Sequence, residues 1–326
     1  MFFRCKNCEG NVIYSPLLGK MYCPHCEGID SEVEEKKGIT ECANCGAPLT
    51  PGEYDSTCRC EYCGSYIILD DRVSGEFRPD RILPFRIDRT AVAEKLREEF
   101  KRRIFTPDSF LSDAALETMK GMYVPFWMFD YSARYNYEGR GTKVRVWTAG
   151  DTEYTETSFF RVKRDLSMDF DQVPADASIA MPDEIMDMME PYDYGELEDF
   201  ILKYMSGFYA ERYNEGADAL EPRARGRVEQ DAELLLKDTL VEYTTLIPEK
   251  KELETEKKKV SYSLLPVWKY SYRYKEKNYD FYINGETGKI VGETPVSKKK
   301  VLVYGGTVFA LVSAALYLLT GILGVL

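Results

Sequence analysis

Histidine occurs once in the 326 residues, at His25, and no cysteine follows Cys63. The first absence excludes Ser-His-Asp catalysis, HExxH metal chemistry and any histidine-rich metal site. Also missing are GxxxxGK[ST], GxGxxG after a strand, and GxSxG, so neither a phosphate cradle nor a nucleophile elbow is present. The run Gly285-Glu-Thr-Gly288-Lys289-Ile290 is too short for a phosphate loop and reads as a hairpin turn. Positive charge is scarce as well: Lys+Arg number 43 against 55 Asp+Glu, a net charge of −12. That balance is poor for gripping a nucleic-acid backbone. No secretory signal opens the chain, because Met1-Phe2-Phe3-Arg4-Cys5 leads directly into the first cysteine pair. Hydrophobic residues at 44% and charged residues at 30% exclude wholesale disorder and a multi-pass membrane protein. The length suits about two domains.

What is present is concentrated at the two ends. All 9 cysteines lie between Cys5 and Cys63. Cys5-x2-Cys8 and Cys23-x2-Cys26 are repeated 37 residues later as Cys42-x2-Cys45 and Cys60-x2-Cys63, with the same internal gap. Without an export signal, thiols are expected to stay reduced, and such pairs read as metal ligands rather than disulfides. Two CxxC knuckles per hairpin deliver four thiolates to a tetrahedron, with Zn–S of ~2.3 Å. Cys5, Cys8, Cys23 and Cys26 are therefore expected to hold one structural Zn²⁺, and Cys42, Cys45, Cys60 and Cys63 a second. Segments this short cannot bury enough apolar surface alone, so the metal must supply much of their stability. Iron in an S4 site uses the same ligands. Cys58 is spare, since using it would shorten the gap, and His25 reads as an exposed or supporting residue. Cys23-Pro24-His25-Cys26 also matches a thiol-redox tetrapeptide, but it lacks the helix N-terminus within a βαβ unit that such an enzyme needs.

At the other end, Val301–Leu326 carries no charge over 26 residues, longer than the ~20 that span a bilayer. Lys298-Lys299-Lys300 precede it, which places the rest of the chain in the cytoplasm by the positive-inside rule. The expectation is a tail anchor. Gly306, Ala310 and Ala314 recur every four residues, a face that permits a homodimer through close helix packing.

Between the ends, an α+β domain is predicted over 84–296, internally duplicated. Pro125-Phe126-Trp127 and Pro266-Val267-Trp268 lie 141 residues apart, and the same offset pairs Phe129 with Tyr270 and Tyr131 with Tyr272. It also lays the helical stretch Thr90–Ile104 over Ala232–Tyr243. Trp268, Tyr270, Tyr272 and Tyr274 alternate as a strand, and Asn284-Gly285-Glu286-Thr287-Gly288 reads as a turn between strands. The expected units are a zinc ribbon over 1–34, a second over 38–70, a linker over 71–83, the duplicated domain and the anchor over 301–326. The acidic run Met181–Phe200, with eight Asp/Glu and no Lys or Arg, is expected as a solvated face, followed by a helix through Phe200, Ile201, Tyr204, Phe208 and Tyr209. Arg134, Arg140, Lys143 and Arg145, interleaved with aromatics, offer either a base-stacking face or one polar side of a half-buried strand pair. Residues 1–70 carry six Lys/Arg against eleven Asp/Glu, and two Zn(Cys)4 centres would make that surface still more acidic. Protein contact is thus favoured over nucleic acid.

The paired CxxC ribbons, Tyr123-Val-Pro-Phe-Trp-Met-Phe129, Glu190-Pro-Tyr-Asp-Tyr194, Ser206-Gly-Phe-Tyr-Ala-Glu-Arg-Tyr213 and Tyr282-Ile-Asn-Gly-Glu-Thr-Gly288 resemble those of bacterial membrane-anchored proteins with transcription-factor-IIB-type zinc ribbons. That group is often labelled primosomal-helicase-like, a label unsupported here because an ATP-binding loop and helicase motifs are missing. The resemblance covers nearly the whole chain and implies no enzymatic activity. Some members are encoded beside SPFH (stomatin/flotillin-like) proteins and phage-shock protein A relatives, which implies such partners and a role in membrane stress or membrane-domain assembly. The expectation is an adaptor at the cytoplasmic membrane. A membrane-tethered nucleic-acid binder and a thiol oxidoreductase are the alternatives.

Overall fold

The computed structural model describes residues 1–35 and 41–322. The expected start of the second ribbon, 38–40, and the end of the apolar stretch, 323–326, lie outside the described residues. The N-terminal 70 residues hold β1 (Phe2–Cys5), β2 (Ile13–Ser15), β3 (Lys20–Tyr22), β4 (Glu32–Glu35), β5 (Asp55–Arg59) and β6 (Tyr66–Ile68). Then follow β7 (Arg81–Ile82), α1 (Arg89–Phe100), α2 (Asp113–Leu116), β8 (Lys120–Ala149), β9 (Thr152–Asp176), α3 (Asp183–Met189), β10 (Glu198–Asp199) and β11 (Tyr209–Glu211). The chain continues through α4 (Ala217–Asp238), β12 (Thr245–Tyr274), β13 (Lys277–Asn284), β14 (Ile290–Gly292) and α5 (Lys298–Ile322). The α+β class is as expected.

Two 30-residue strands, β8 and β12, pair antiparallel and form the spine of a 10-stranded sheet. Val124 faces Leu265 across the pair, and these two residues are 141 apart in sequence. The spine is therefore symmetric about that point. β7 joins β12 in parallel through Arg81↔Ser263 and Ile82↔Leu264, while β11 joins β8 through Tyr209↔Met122 and Ala210↔Tyr123. The two tryptophans obey the same symmetry. Trp127 Nε1 donates to Glu215 O at 2.9 Å, and Trp268 Nε1 donates to Ile87 O at 3.0 Å. Each half thus runs strand, helix, long strand, hairpin, and the first strand of each half pairs with the long strand of the other.

The helices correct the sequence alignment of the halves. α4 begins 128 residues after α1, not 141, because 13 more residues separate helix and spine in the second half. α1 is capped by Asp88, whose carboxylate accepts from Ala91 N at 2.9 Å. It buries Val92, Leu96 and Phe100 near Phe281 of the short β12–β13 hairpin, with the Phe100 and Phe281 rings 5.5 Å apart. α4 is longer and buries Leu220, Ala224, Val228, Ala232 and Leu236, one residue every four, on Tyr131, Ala133, Tyr135 and Tyr137 of β8. The β8–β9 hairpin with the first part of β12 extends as a three-stranded arm under that helix.

Three further expectations change. The segment 71–83 is no linker: Asp80 N donates to Tyr262 O and Leu83 N to Leu264 O, with Ile82 and Leu83 wholly buried. Its polar composition conceals a short apolar run that enters the sheet. No helix spans Phe200–Tyr209. Gly207, at φ 98°, stops helical continuation, leaving a 3-10 turn at Leu202–Met205 and then β11. The acidic run is not a solvated face. It contains α3, whose Met186 and Met189 are buried, and its carboxylates meet arginines of α4. Arg223 Nη1 lies 2.8 Å from Asp176 and 3.1 Å from Asp183, and Arg227 Nη2 lies 2.8 Å from Glu190. Burial pushes the Asp176 carboxyl up to about 6 despite that arginine. The basic residues of β8 are paired too: Arg134 with Asp165, Arg140 with Glu249 and Lys143 with Glu242. β8 is accordingly a half-buried strand with one polar side.

Candidate metal centres

Each CxxC folds as a tight knuckle, and the four repeat one another. Cys5 N donates to Gly10 O and Glu9 N to Cys5 O; 37 residues on, Cys42 N donates to Ala47 O and Gly46 N to Cys42 O. Cys23 and Cys60 make the equivalent pairs with Gly28 and Ser65. The residue after each second cysteine is left-handed, at φ 62° for Glu9, 60° for Glu27, 73° for Gly46 and 72° for Gly64. These turns aim backbone N–H groups and both sulfurs toward one point.

The sulfurs meet in two groups of four, Cys5–Cys8–Cys23–Cys26 and Cys42–Cys45–Cys60–Cys63, within 4.8 Å of one another in each. Individual Sγ separations are 3.5 Å for Cys5–Cys26, 3.4 Å for Cys8–Cys23, 3.6 Å for Cys42–Cys63 and 3.7 Å for Cys45–Cys60. A tetrahedron with ~2.3 Å metal–sulfur bonds has edges of about 3.8 Å, so both clusters fit a thiolate-bound metal ion. In each cluster two sulfurs are buried within the fold and others face outward, which gives a metal an entry path. Neighbours tune the donors. The Ser31 hydroxyl lies 3.3 Å from Cys5 Sγ and lowers that thiol to about 6. Asn7 N adds a contact at 3.4 Å. All eight cysteines expected as ligands are brought together. Cys58 stands apart on β5, and its half-buried position pushes its thiol up. His25 is exposed and belongs to neither cluster. Cys23 is wholly buried beside Cys8, unlike a redox-active thiol at a helix N-terminus.

The two modules are not independent beads. Phe2, from the first, fills the core of the second beside Cys42, Cys60 and Ile67. Ile68 N donates to Met1 O at 2.9 Å, and Tyr66 N donates to Asn11 Oδ1 at 3.0 Å. The second module adds β5 and β6 to the edge of the main sheet through β11. The first docks on Ser206–Phe208: Tyr14 N donates to Ser206 O at 2.8 Å, and Ser206 Oγ donates to Val12 O at 2.6 Å. A Cβ on Gly207 would lie 2.8 Å from Ile13 Cβ, so the approach requires glycine there. Sequence reasoning missed this docking role, although the tripeptide Ser206-Gly207-Phe208 was visible as an isolated turn signal.

No family model matches the chain, and no solved structure matches it. It is similar to YdjG, an uncharacterised protein of Bacillus subtilis (strain 168), at 38% identity over 249 residues, which are 75% of this chain and 73% of that protein. This chain belongs to the YdjG family. A YdjG-like match of that length reaches well beyond the cysteine-bearing segment, so the family likeness includes the sheet that carries the modules.

Proposed function

We propose that this YdjG-family chain is a membrane-anchored adaptor: two structural Zn²⁺ modules and a duplicated sheet, held on the cytoplasmic side of the membrane by α5. The anchor reading is supported by Lys298–Leu319, 22 residues with a mean hydropathy of 2.0 and none of it buried. One observation carries the adaptor reading, the continuous framework between modules and anchor. The first module hydrogen-bonds to Ser206, and the second joins the sheet at β11. At the opposite end of the spine, Tyr272 OH meets Ser109 Oγ at 2.7 Å, next to the Asp108 that pairs with Lys300 of α5. Metal chemistry here would stiffen a docking surface rather than turn over a substrate, because four thiolates close the coordination shell. Confinement to the membrane raises the effective concentration of whatever the modules hold. The acidic surface favours a protein partner over nucleic acid. The resemblance drawn from the sequence motifs supports membrane stress or membrane-domain assembly as the setting, with SPFH-type or phage-shock protein A-like proteins as candidate partners.

The test is co-purification from detergent of the full chain and of its Cys42→Ser/Cys60→Ser variant, with metal content measured on both. Two zinc ions per chain and a partner set that disappears in the variant are expected. An unchanged partner set would reject recruitment through the modules.

A further inference from the structure

The chain has two basic triplets far apart in sequence, Lys101-Arg102-Arg103 and Lys298-Lys299-Lys300. The fold brings them together at the start of α5. Ser297 N donates to Phe105 O at 2.8 Å, and Arg103 Nη1 donates to Thr294 Oγ1 at 2.6 Å. The rings of Phe105 and Tyr304 meet edge to face, 5.4 Å apart. Between loop and helix runs a groove of about 680 Å³, lined on one side by Ile104, Phe105 and Tyr304 and on the other by Lys299 and Lys300. Two of the six cations are neutralised locally: Arg103 by Glu99 at 2.6 Å and Lys300 by Asp108 at 2.5 Å. Lys101, Arg102, Lys298 and Lys299 are exposed and make no ion pair among the described residues.

We propose that this groove holds the phosphodiester headgroup of an anionic phospholipid from the leaflet that α5 enters. The proposal rests on reading α5 as a membrane anchor. A chain of net charge −12 is repelled by an anionic leaflet. Unpaired cations at the point of entry reverse that locally, since a juxtamembrane Lys or Arg attracts anionic lipid within a Debye length of ~8–10 Å. The mixed lining fits the same occupant. Aromatic side chains at the first turns of a spanning helix sit at headgroup depth, with the apolar wall toward the acyl chains and the basic wall toward phosphate. Lys101 and Arg102 are the added element, because they lie outside the tail and yet face the same interface.

The full chain is reconstituted into vesicles of phosphatidylcholine alone and of equal parts phosphatidylcholine and phosphatidylglycerol. Flotation after a carbonate wash reports the anchor, and the phosphatidylglycerol retained on detergent-purified chain reports the groove. Flotation with both vesicles and enrichment of phosphatidylglycerol over its bulk share are expected. Lys101→Ala/Arg102→Ala should lower that enrichment about tenfold while flotation is unchanged. A thermal melt of the variant confirms that it folds, and Lys298→Ala/Lys299→Ala should lower the enrichment likewise. A chain that floats with both vesicles but shows no enrichment, or a Lys101→Ala/Arg102→Ala variant that keeps all of it, overturns the lipid site alone. A chain that floats with neither removes the anchor reading as well.

Discussion

The molecule contains two duplications held by different physics. In the first 70 residues the copies keep one spacing throughout: every cysteine and every knuckle hydrogen bond recurs at 37. In the sheet the spine repeats at 141 while the helices repeat at 128, and one half carries a 22-residue helix where the other has 12 residues. Four sulfurs around one ion tolerate almost no change in the loops that deliver them. A helix packed on a strand tolerates much, because apolar burial asks only for matching faces and volume. Rigid spacing marks where a metal holds the chain, and drifting spacing marks where burial does.

The sharpest way to break that contrast is to remove the metal. Chelation at neutral pH should unfold the region before residue 70, where each site is expected to contribute on the order of 10–16 kcal/mol of apparent binding energy. The β8–β12 spine should keep its protection. Hydrogen exchange read by mass spectrometry distinguishes the two: fast exchange in β1–β6 with slow exchange persisting in Tyr131–Tyr137 is the expected outcome. If the spine loses protection together with the modules, the sheet depends on the metal and the two duplications are not separately held.

Within the sheet, the paired tryptophans sharpen the comparison. Trp268 is buried and Trp127 half-buried, yet both donate to the residue two before the helix of their pseudo-repeat. Trp268→Ala should cost ~3–5 kcal/mol and Trp127→Ala about half of that, since less of its ring leaves an apolar site. Urea unfolding of the full chain in detergent gives both values. A negligible loss at Trp127 would mean that the symmetry of hydrogen bonding carries no matching energy.

The metal ligands were legible in the sequence because thiolate chemistry restricts both residue type and spacing, and the apolar C-terminal stretch because its composition allows few other readings. The offset between Pro125-Phe126-Trp127 and Pro266-Val267-Trp268 was legible for a related reason, since both motifs sit near the symmetry point of the spine. What stayed hidden depends on contacts distant in sequence. The Lys/Glu-rich start of β12 has no apolar alternation, and it is a strand because β8 pairs with it along its length. The acidic run looked solvated because its partners, Arg223 and Arg227, lie beyond it on α4. Ile82-Leu83 was masked by polar neighbours, and Lys101–Arg103 gained meaning only when the fold placed it beside Lys298–Lys300.

The smallest expected effect separates the two metal modules from each other. Both need a left-handed residue after each knuckle, but the first uses Glu9 and Glu27 where the second uses Gly46 and Gly64. A non-glycine residue there bears roughly 1–2 kcal/mol of strain, against roughly 0.5–1 kcal/mol of chain entropy that glycine loses on folding. Glu27→Gly should therefore tighten metal binding by only about 0.5 kcal/mol. Gly46→Ala should weaken it by about 1 kcal/mol, and because nothing lies within 4 Å of the added Cβ, that loss is conformational rather than steric. Competition with a chromophoric chelator measures both. Opposite signs from the two substitutions mean that the metal holds the first module against a backbone preference that the second does not have. Equal signs mean that the knuckle turn is set by the ion alone, whatever residue follows the cysteine.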